Sequence, residues 1–203
     1  MLSLDFPGAR KLIEAIDAAV QLPDETATTD ALRSLLCRSI RDQEVRLPSC
    51  VFERADDHYA RRELYRSEEF GYSVVAMTWG PGQGTPIHDH AGQWCVEGVW
   101  EGFLEITPYE LVETQEPVET QGKRYRFEPR GTMNAGAGSA GSLIPPHEYH
   151  TIHNPSDDAI AVSLHIYRRP LDSCAKFHPD EPGWYTCDEC CLALDEIQAA
   201  ATH

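Results

Sequence analysis

The stretch TPIHDHAGQWC, residues 85–95, holds two histidines one residue apart and a cysteine five positions after the second histidine. On a β-strand, side chains two residues apart point to the same face. His88 and His90 are therefore expected to project together, and two imidazoles on one wall form half of a metal site. A His-x-His pair also occurs on surface loops, so the pair alone leaves both interpretations open.

The residues around this pair fit a longer pattern. Gly82, His88, His90, Cys95 and Gly102 have the spacings of the first cupin motif, G-x5-H-x-H-x3,4-E-x6-G. The one departure is Cys95, which stands where most cupins have a glutamate ligand. This stretch therefore resembles a cupin metal strand that lacks its carboxylate.

A second stretch resembles the second cupin motif, P-x-G-x2-H-x3-N. Its residues are Pro145, His147 in place of the glycine, His150 and Asn154. The resemblance makes His150 the third metal ligand. Three neutral imidazoles leave a divalent ion its full charge and leave open positions where anions can bind. Such a site suits an anionic substrate that coordinates the metal directly, and a thiolate is a good candidate.

Two amphipathic helices are predicted at the start of the chain. Residues 7–20 and 30–43 each repeat apolar residues at helical spacing, and Thr29 or Asp30 could cap the second helix. The apolar positions are Leu12, Ile13, Ile16, Val20, Leu32, Leu35, Leu36 and Ile40. We therefore interpret residues 1–50 as a helical leader that packs on the following barrel.

From about residue 58 the pattern changes to short runs that are typical of β-strands. These runs are 72–79, 94–100, 103–109, 124–129, 141–146 and 159–167. Turn residues separate them without an intervening helical pattern, which predicts an all-β antiparallel sandwich or barrel over residues 51–203. AGAGSAG indicates a flexible loop, and the tail, 171–203, is expected to be irregular with a weak helix in LALDEIQAAA.

Composition narrows the function classes. The 203 residues suffice for one structural domain, and the net charge of -16 disfavours nucleic acid as a partner because such a chain repels phosphates. The sequence contains no apolar run long enough to predict a membrane span. Acidic residues interrupt the apolar positions at the start of the chain, which is not typical of a signal peptide. Seven cysteines are then expected to be reduced thiols, which predicts a cytoplasmic protein. We also expect a monomer or weak oligomer.

Three longer segments resemble the cysteine dioxygenase family. They are HYARREL (58–64), WGPGQGTPIHDH (79–90) and HTIHNPSDDAIAVSLHIY (150–167), and the resemblance covers roughly residues 55–178. It implies a small antiparallel, jelly-roll-like cupin barrel. It also implies a reaction in which a free thiol is oxidised to a sulfinate by both atoms of O2, with one ferrous ion per chain.

The resemblance also implies roles for single residues. His88, His90 and His150 match the iron ligands, and Arg61, two residues after Tyr59, matches the arginine that holds the substrate carboxylate. Bacterial relatives that oxidise 3-mercaptopropionate tend to have glutamine there, so arginine favours L-cysteine. A guanidinium also grips a carboxylate bidentately. A one-residue shift would give this role to Arg62 instead.

Four further residues match the family's catalytic set. Ser163, His165 and Tyr167 match a Ser-His-Tyr relay, and Cys95 matches a cysteine that can form a thioether with the active-site tyrosine. The alternatives are that AVSLHIY is a core strand with a satisfied buried histidine, and that Cys95 is a small buried thiol without chemistry. CDECC (187–191) with His178 could hold zinc, although only a C-x2-C pair is clear.

The sequence therefore predicts an iron-dependent dioxygenase that converts L-cysteine to cysteine sulfinate. Two alternatives stay open. The substrate could be 3-mercaptopropionate or cysteamine, or the chain could be a non-catalytic cupin that binds a metal or small ligand. A passive binder needs no Ser-His-Tyr relay, which argues against the second alternative.

Overall fold

The computed structural model describes residues 5–42, 45–117 and 122–197. Two helices come first and twelve strands follow, with a short 3-10 helix, Ser49–Phe52, between them. The helices are α1 (Ala9–Val20) and α2 (Glu25–Arg41). The strands are β1 (Ala60–Arg66), β2 (Ser73–Trp79), β3 (Ile87–His88), β4 (Cys95–Glu101), β5 (Phe103–Gln115), β6 (Arg124–Pro129), β7 (Met133–Gly136), β8 (Ala140–Leu143), β9 (His150–His153), β10 (Ala161–Tyr167), β11 (Ser173–Pro179) and β12 (Trp184–Cys191).

The strands form two sheets in which neighbours pair antiparallel. The first sheet has the order β1-β2-β10-β4-β8, and the second has the order β6-β12-β11-β3-β9-β5-β7. The fold class predicted from the sequence, an all-β barrel with two N-terminal helices, is confirmed. None of the helices in the described part of the chain is long and apolar enough to cross a membrane.

Helix α2 begins earlier than the sequence predicted. Its cap is Asp24, whose carboxylate accepts a hydrogen bond of 2.8 Å from the backbone N–H of Ala27. The predicted cap at Thr29 or Asp30 is wrong, because both residues lie inside the helix. The Thr29 hydroxyl donates to the carbonyl of Glu25 one turn back, which satisfies this polar side chain within the helix.

The first sheet is buried on both faces. Alternate residues of β2, β4 and β10, such as Val74, Val96 and Leu164, pack against the apolar faces of α1 and α2. The residues between them point into the space between the two sheets, where the second core cluster lies. This burial explains why AIAVSLHIY is apolar almost throughout. It also leaves the inner face free to carry chemically active side chains.

Three predictions about irregular segments are wrong. The expected tail contains β11 and β12, and the expected AGAGSAG loop contributes to β7 and β8. Residues 192–197 of the predicted weak helix are not helical, and the rest of that helix lies outside the described residues. Pairing with β3, β4, β5 and β6 stabilises these four strands, so tertiary contacts override their weak local propensity. The sequence analysis also did not predict strand β1, which begins within HYARREL.

Candidate metal centre and active site

Antiparallel pairing brings the three predicted metal ligands together. Strand β3 lies beside β9 with His88 opposite His150, and His90 follows β3 by two residues. The ring centroids of these histidines are 4.4 to 5.4 Å apart, and one ligand atom from each ring lies within 4.8 Å of the others. Three imidazoles thus converge on one point, as a metal ion requires.

Backbone carbonyls orient two of these rings. The Nδ1 atom of His88 lies 3.2 Å from the carbonyl oxygen of Pro86, and that of His150 lies 2.9 Å from the carbonyl oxygen of Glu148. A carbonyl only accepts hydrogen bonds, so each Nδ1 carries the proton and each Nε2 keeps a free lone pair. The Nε2 of His150 is buried without a hydrogen-bond partner. This donor set fits a metal ion.

Burial keeps the three imidazoles neutral. It lowers the pKa of His88 to about 4 and the pKa values of His90 and His150 well below the usual value. Neutral imidazole is the form that binds metals, so no proton competes with the ion near neutral pH.

A buried arginine lines the same cavity as the histidines. The guanidinium of Arg61 donates to two backbone carbonyls, those of Ala193 at 3.1 Å and Leu171 at 3.2 Å. Only 4% of Arg61 is exposed. Within the described residues, no carboxylate forms an ion pair with this guanidinium. Among the described residues, the positive charge in this cavity therefore has no anionic partner.

The neighbouring arginine points elsewhere. Arg62 donates to the hydroxyl of Thr78 at 3.2 Å and to the carbonyl of Glu53 at 2.8 Å, and it does not line the histidine cavity. Successive residues of β1 face opposite sides of the sheet, which separates the two arginines. Tyr59 does line the cavity, and its ring stacks on Trp79 with centroids 4.6 Å apart.

Strand β10 carries the predicted relay on its inner face. The Trp79 indole donates to the Ser163 hydroxyl at 2.8 Å, and that hydroxyl lies 2.8 Å from Nε2 of His165. The His165 ring is nearly parallel to that of Tyr167, with centroids 5.9 Å apart and an interplanar angle of 17°. Burial lowers the pKa of His165 to about 3 and raises the pKa of Tyr167, so both groups stay neutral.

Cys95 lies directly opposite Tyr167 in the pairing of β4 with β10. The residue is fully buried, and its sulfur lies 4.0 Å from Nδ1 of His165. Burial also raises the pKa of the thiol well above its usual value. Cys95 does not belong to the group of three histidines; its sulfur lies within 4.8 Å of a ligand atom of Glu97 and of His165, which form a second group of possible metal ligands.

Sequence reasoning missed Glu97. This residue follows Cys95 by two positions on β4, and only 6% of it is exposed. Its Oε2 atom lies 3.4 Å from Nδ1 of His165 and 3.8 Å from Nε2 of His150. Burial raises the pKa of Glu97 to about 7. The available signal was the period of two in WCVEGVW, which gives Cys95 and Glu97 the same face.

The structure gives no support to a zinc site in CDECC. Among the described residues, Cys187, Cys190 and Cys191 form no metal-binding group with His178. Cys174, by contrast, is buried and lines the histidine cavity, as do Met77, Ile152, Leu171 and Leu192. Apolar side chains thus enclose the cavity around its polar groups.

Comparisons with known proteins agree with the resemblance seen in the sequence. The family described as "Cysteine dioxygenase type I" matches residues 49–180. The chain is 27% identical over 126 residues to cysteine dioxygenase type 1 of Danio rerio, covering 62% of this chain and 59% of that protein. Its identity to the Homo sapiens protein is 26% over 129 residues, covering 63% and 60%. The matches thus span about 60% of the length of these relatives.

Solved structures give more distant matches. Protein TT1209 from Thermus thermophilus is 18% identical, with a TM-score of 0.44, and the match covers 63% of this chain and 100% of that chain. An oxalate oxidase in complex with the substrate analogue glycolate is 15% identical, with a TM-score of 0.43 and coverage of 61% and 59%.

Proposed function

Because the chain belongs to the cysteine dioxygenase type I family, we propose that it is an iron-dependent thiol dioxygenase that oxidises L-cysteine to cysteine sulfinate. Its substrates are a small thiol amino acid and O2. A cytoplasmic location and a monomeric or weakly oligomeric state belong to the same proposal. The single observation that carries the substrate class is the environment of Arg61.

A buried guanidinium without a carboxylate partner favours an anionic ligand. Removing a charge from water is costly unless an opposite charge meets it, and Arg61 lines the histidine cavity with only backbone carbonyls as partners. The carboxylate of a thiol amino acid supplies that charge and can be gripped by two parallel N–H groups. A thiol without a carboxylate leaves the charge of the guanidinium unpaired.

The remaining residues position the substrate and exclude water. His88, His90 and His150 would hold the iron, which would supply the redox chemistry with O2 when bound. Arg61 binds the substrate carboxylate, and the phenol of Tyr167, kept protonated by burial, can donate a hydrogen bond in the cavity. His165 orients Tyr167, and the apolar lining keeps water away from the thiolate.

The narrowness of the cavity limits substrate size. It measures about 20 Å³, far less than a second cavity of about 400 Å³ that is also lined by His165. Because this volume holds about one water molecule, even a three-carbon thiol requires the lining to move apart, and a tripeptide such as glutathione requires far more. We therefore expect free small thiols to be the only substrates.

Oxygen uptake by the iron-loaded protein with a panel of thiols tests the function. We expect the highest kcat/KM with L-cysteine, a lower value with 3-mercaptopropionate, little turnover of cysteamine and none of glutathione, with the sulfinate identified by mass spectrometry. Equal turnover of cysteamine contradicts the role of Arg61. Full iron occupancy without oxygen uptake for any thiol favours a non-catalytic metal-binding cupin.

A further inference from the structure

Glu97 and His165 form a buried pair beside Cys95 and Tyr167, the two residues predicted to form a thioether. Strands β4 and β10 place Cys95 opposite Tyr167 and Glu97 opposite His165. Because residues two apart on a strand share a face, the four side chains form one block between the sheets. Only 7% of the Glu97 side chain and 2% of the His165 side chain are exposed.

Hydrogen-bond directions favour one tautomer of the His165 ring. The indole of Trp79 can only donate, so the oxygen of Ser163 accepts its hydrogen bond at 2.8 Å. The hydroxyl proton of Ser163 is then free to point at Nε2 of His165, also at 2.8 Å. A neutral ring that accepts at Nε2 carries its proton on Nδ1.

The Nδ1 atom of His165 faces two possible acceptors. The Oε2 atom of Glu97 lies 3.4 Å away and is buried without any hydrogen-bond partner, whereas the sulfur of Cys95, at 4.0 Å, is within hydrogen-bond distance of Nδ1. A carboxyl oxygen is a much stronger acceptor than sulfur. The carboxyl oxygen, the stronger acceptor and the one without a partner, is therefore assigned to the Nδ1 proton.

We propose that Glu97 is a positioning residue that acts through His165. Its carboxyl group accepts the Nδ1 proton, which fixes the tautomer and the plane of the imidazole. The imidazole lies parallel to the ring of Tyr167 and holds the phenol in its place. The expected effect of Glu97 on turnover rests on the proposed function, whereas its expected effect on the His165 tautomer does not.

The geometry separates Glu97 from the three-histidine site. Two ligands of one ion lie at most about 4.2 Å apart, twice a typical metal–nitrogen distance. Glu97 is 3.8 Å from Nε2 of His150 but does not belong to the group of His88, His90 and His150; its carboxylate belongs to a second group, with Cys95 and His165. Loss of the Glu97 carboxylate is therefore expected to leave metal binding intact.

The second cavity makes the pair accessible to small molecules. It measures about 400 Å³ and is lined by Glu97, Ser163 and His165 together with apolar residues of β5 and β7. His88, His90 and Arg61 do not line it. A small carboxylate such as formate can thus reach the space left by a Glu97→Ala substitution without passing the metal site.

The tautomer of His165 tests the proposal directly. The full chain is labelled with 15N-histidine and loaded with diamagnetic Zn(II), which imidazole sites also bind, and the His165 signals are assigned with His165→Gln. We expect the proton on Nδ1 in the wild type and in Glu97→Gln, whose amide oxygen still accepts. In Glu97→Leu the nitrogen shifts should move toward the other tautomer. A proton on Nε2 in the wild type, or unchanged shifts in Glu97→Leu, would overturn the proposal.

Turnover by the iron-loaded protein gives a second readout. Glu97→Leu should lower kcat by about tenfold or more while the KM for cysteine and the iron content stay within twofold, because orientation is lost but substrate binding is not. Glu101→Leu, an exposed carboxylate on the same strand, serves as the matched control. Formate should restore part of the activity of Glu97→Ala but none to Ser163→Ala. A loss of iron, or a rise in KM alone, contradicts the positioning role.

The two proposals fail in distinguishable ways. If the iron-loaded wild type consumes no oxygen with any thiol, the proposed function is wrong, and the tautomer measurement on the zinc-loaded chain still decides the role of Glu97. If thiols are oxidised but the tautomer is the same without the carboxylate, only the inference about Glu97 is wrong.

Discussion

At the residue scale, the neighbouring Arg61 and Arg62 form a matched pair for mutation. Both are buried, but only Arg61 lines the histidine cavity. Arg61→Gln should lower kcat/KM for cysteine by roughly tenfold to a hundredfold, about what a charge-assisted hydrogen-bonded pair supplies, mainly through a higher KM. Arg62→Gln should leave the KM nearly unchanged. Steady-state oxygen uptake measures both, and equal effects of the two substitutions would exclude Arg61 as the specific carboxylate site.

Strand β9 carries a similar matched pair for mutation, the predicted metal ligand His150 and the exposed His153. His150 is fully buried, whereas 47% of the His153 side chain at the other end of the strand is exposed. His150→Ala should remove most of the bound metal, because only two protein ligands remain, and His153→Ala should retain it. Elemental analysis of both variants checks this. Full occupancy after loss of His150 would rule out the three-histidine set.

The opposition of Cys95 and Tyr167 predicts a covalent link that forms during turnover. A bond forms between the sulfur of Cys95 and a ring carbon of Tyr167, two hydrogens leave, and O2 accepts the two electrons. Intact-mass analysis of the aged active protein should show the loss of two hydrogens, and peptide mapping should join the two segments. Cys95→Gly should abolish the mass change, keep the metal and retain reduced activity, whereas Cys174→Ala should still form the link. An unlinked wild type would make Cys95 a neighbour only.

At the element scale, the segment after β12 holds β1 in place. The Asp195 carboxylate accepts a hydrogen bond of 2.7 Å from the backbone N–H of Arg61, and the backbone N–H of Asp195 donates to the Arg61 carbonyl, also at 2.7 Å. Asp195 also lies 2.9 Å from Nε2 of His58. These contacts fix both the backbone and the guanidinium of Arg61, whose partner Ala193 belongs to the same segment.

Asp195→Ala should therefore raise the KM for cysteine several-fold without changing the metal content. Asp188→Ala, at an exposed position of β12, is the control. Hydrogen bonds to Asp195 and Asp57 raise the pKa of His58, so this ion pair is present below the usual histidine pKa and is lost as the pH rises through the raised value. Unchanged kinetics in Asp195→Ala would show that β1 positions Arg61 by itself.

At the scale of the whole molecule, buried neutral histidines make the free energy of unfolding depend on pH. Burial lowers the pKa of His165 to about 3, so below the usual histidine pKa of about 6.5 the unfolded chain binds a proton that the folded chain does not. Stability is therefore lost as the pH falls. Each such histidine contributes a slope of about 1 kcal/mol per pH unit between roughly pH 5 and 6.

Urea unfolding of the metal-free protein at several pH values tests this dependence. His165→Gln should reduce the slope of the free energy of unfolding against pH by about 1 kcal/mol per unit, because glutamine does not titrate. We expect the variant to have a smaller free energy of unfolding at neutral pH, and to lose less of it as the pH falls. An identical slope in both proteins would mean that His165 is already protonated in the folded state.

The sequence by itself determined the fold class and which histidines converge. The spacing of Gly82, His88, His90 and Gly102 was informative because both glycines adopt positive φ, a conformation that few other residues tolerate at turns. The alternation in AVSLHIY likewise predicted that Ser163, His165 and Tyr167 share a face. These features are local, since turn chemistry and the strand period depend only on neighbouring residues.

Only the tertiary structure decided which arginine faces the cavity, that the tail forms β11 and β12, and that Glu97 meets His165. Arg61 is held by Ala193, which lies 132 residues away along the chain, and Glu97 meets His165 only through the pairing of β4 with β10. Such contacts depend on how distant strands pair. Strand propensity is weak and context-dependent, so the residues of one segment do not specify which distant partner buries them.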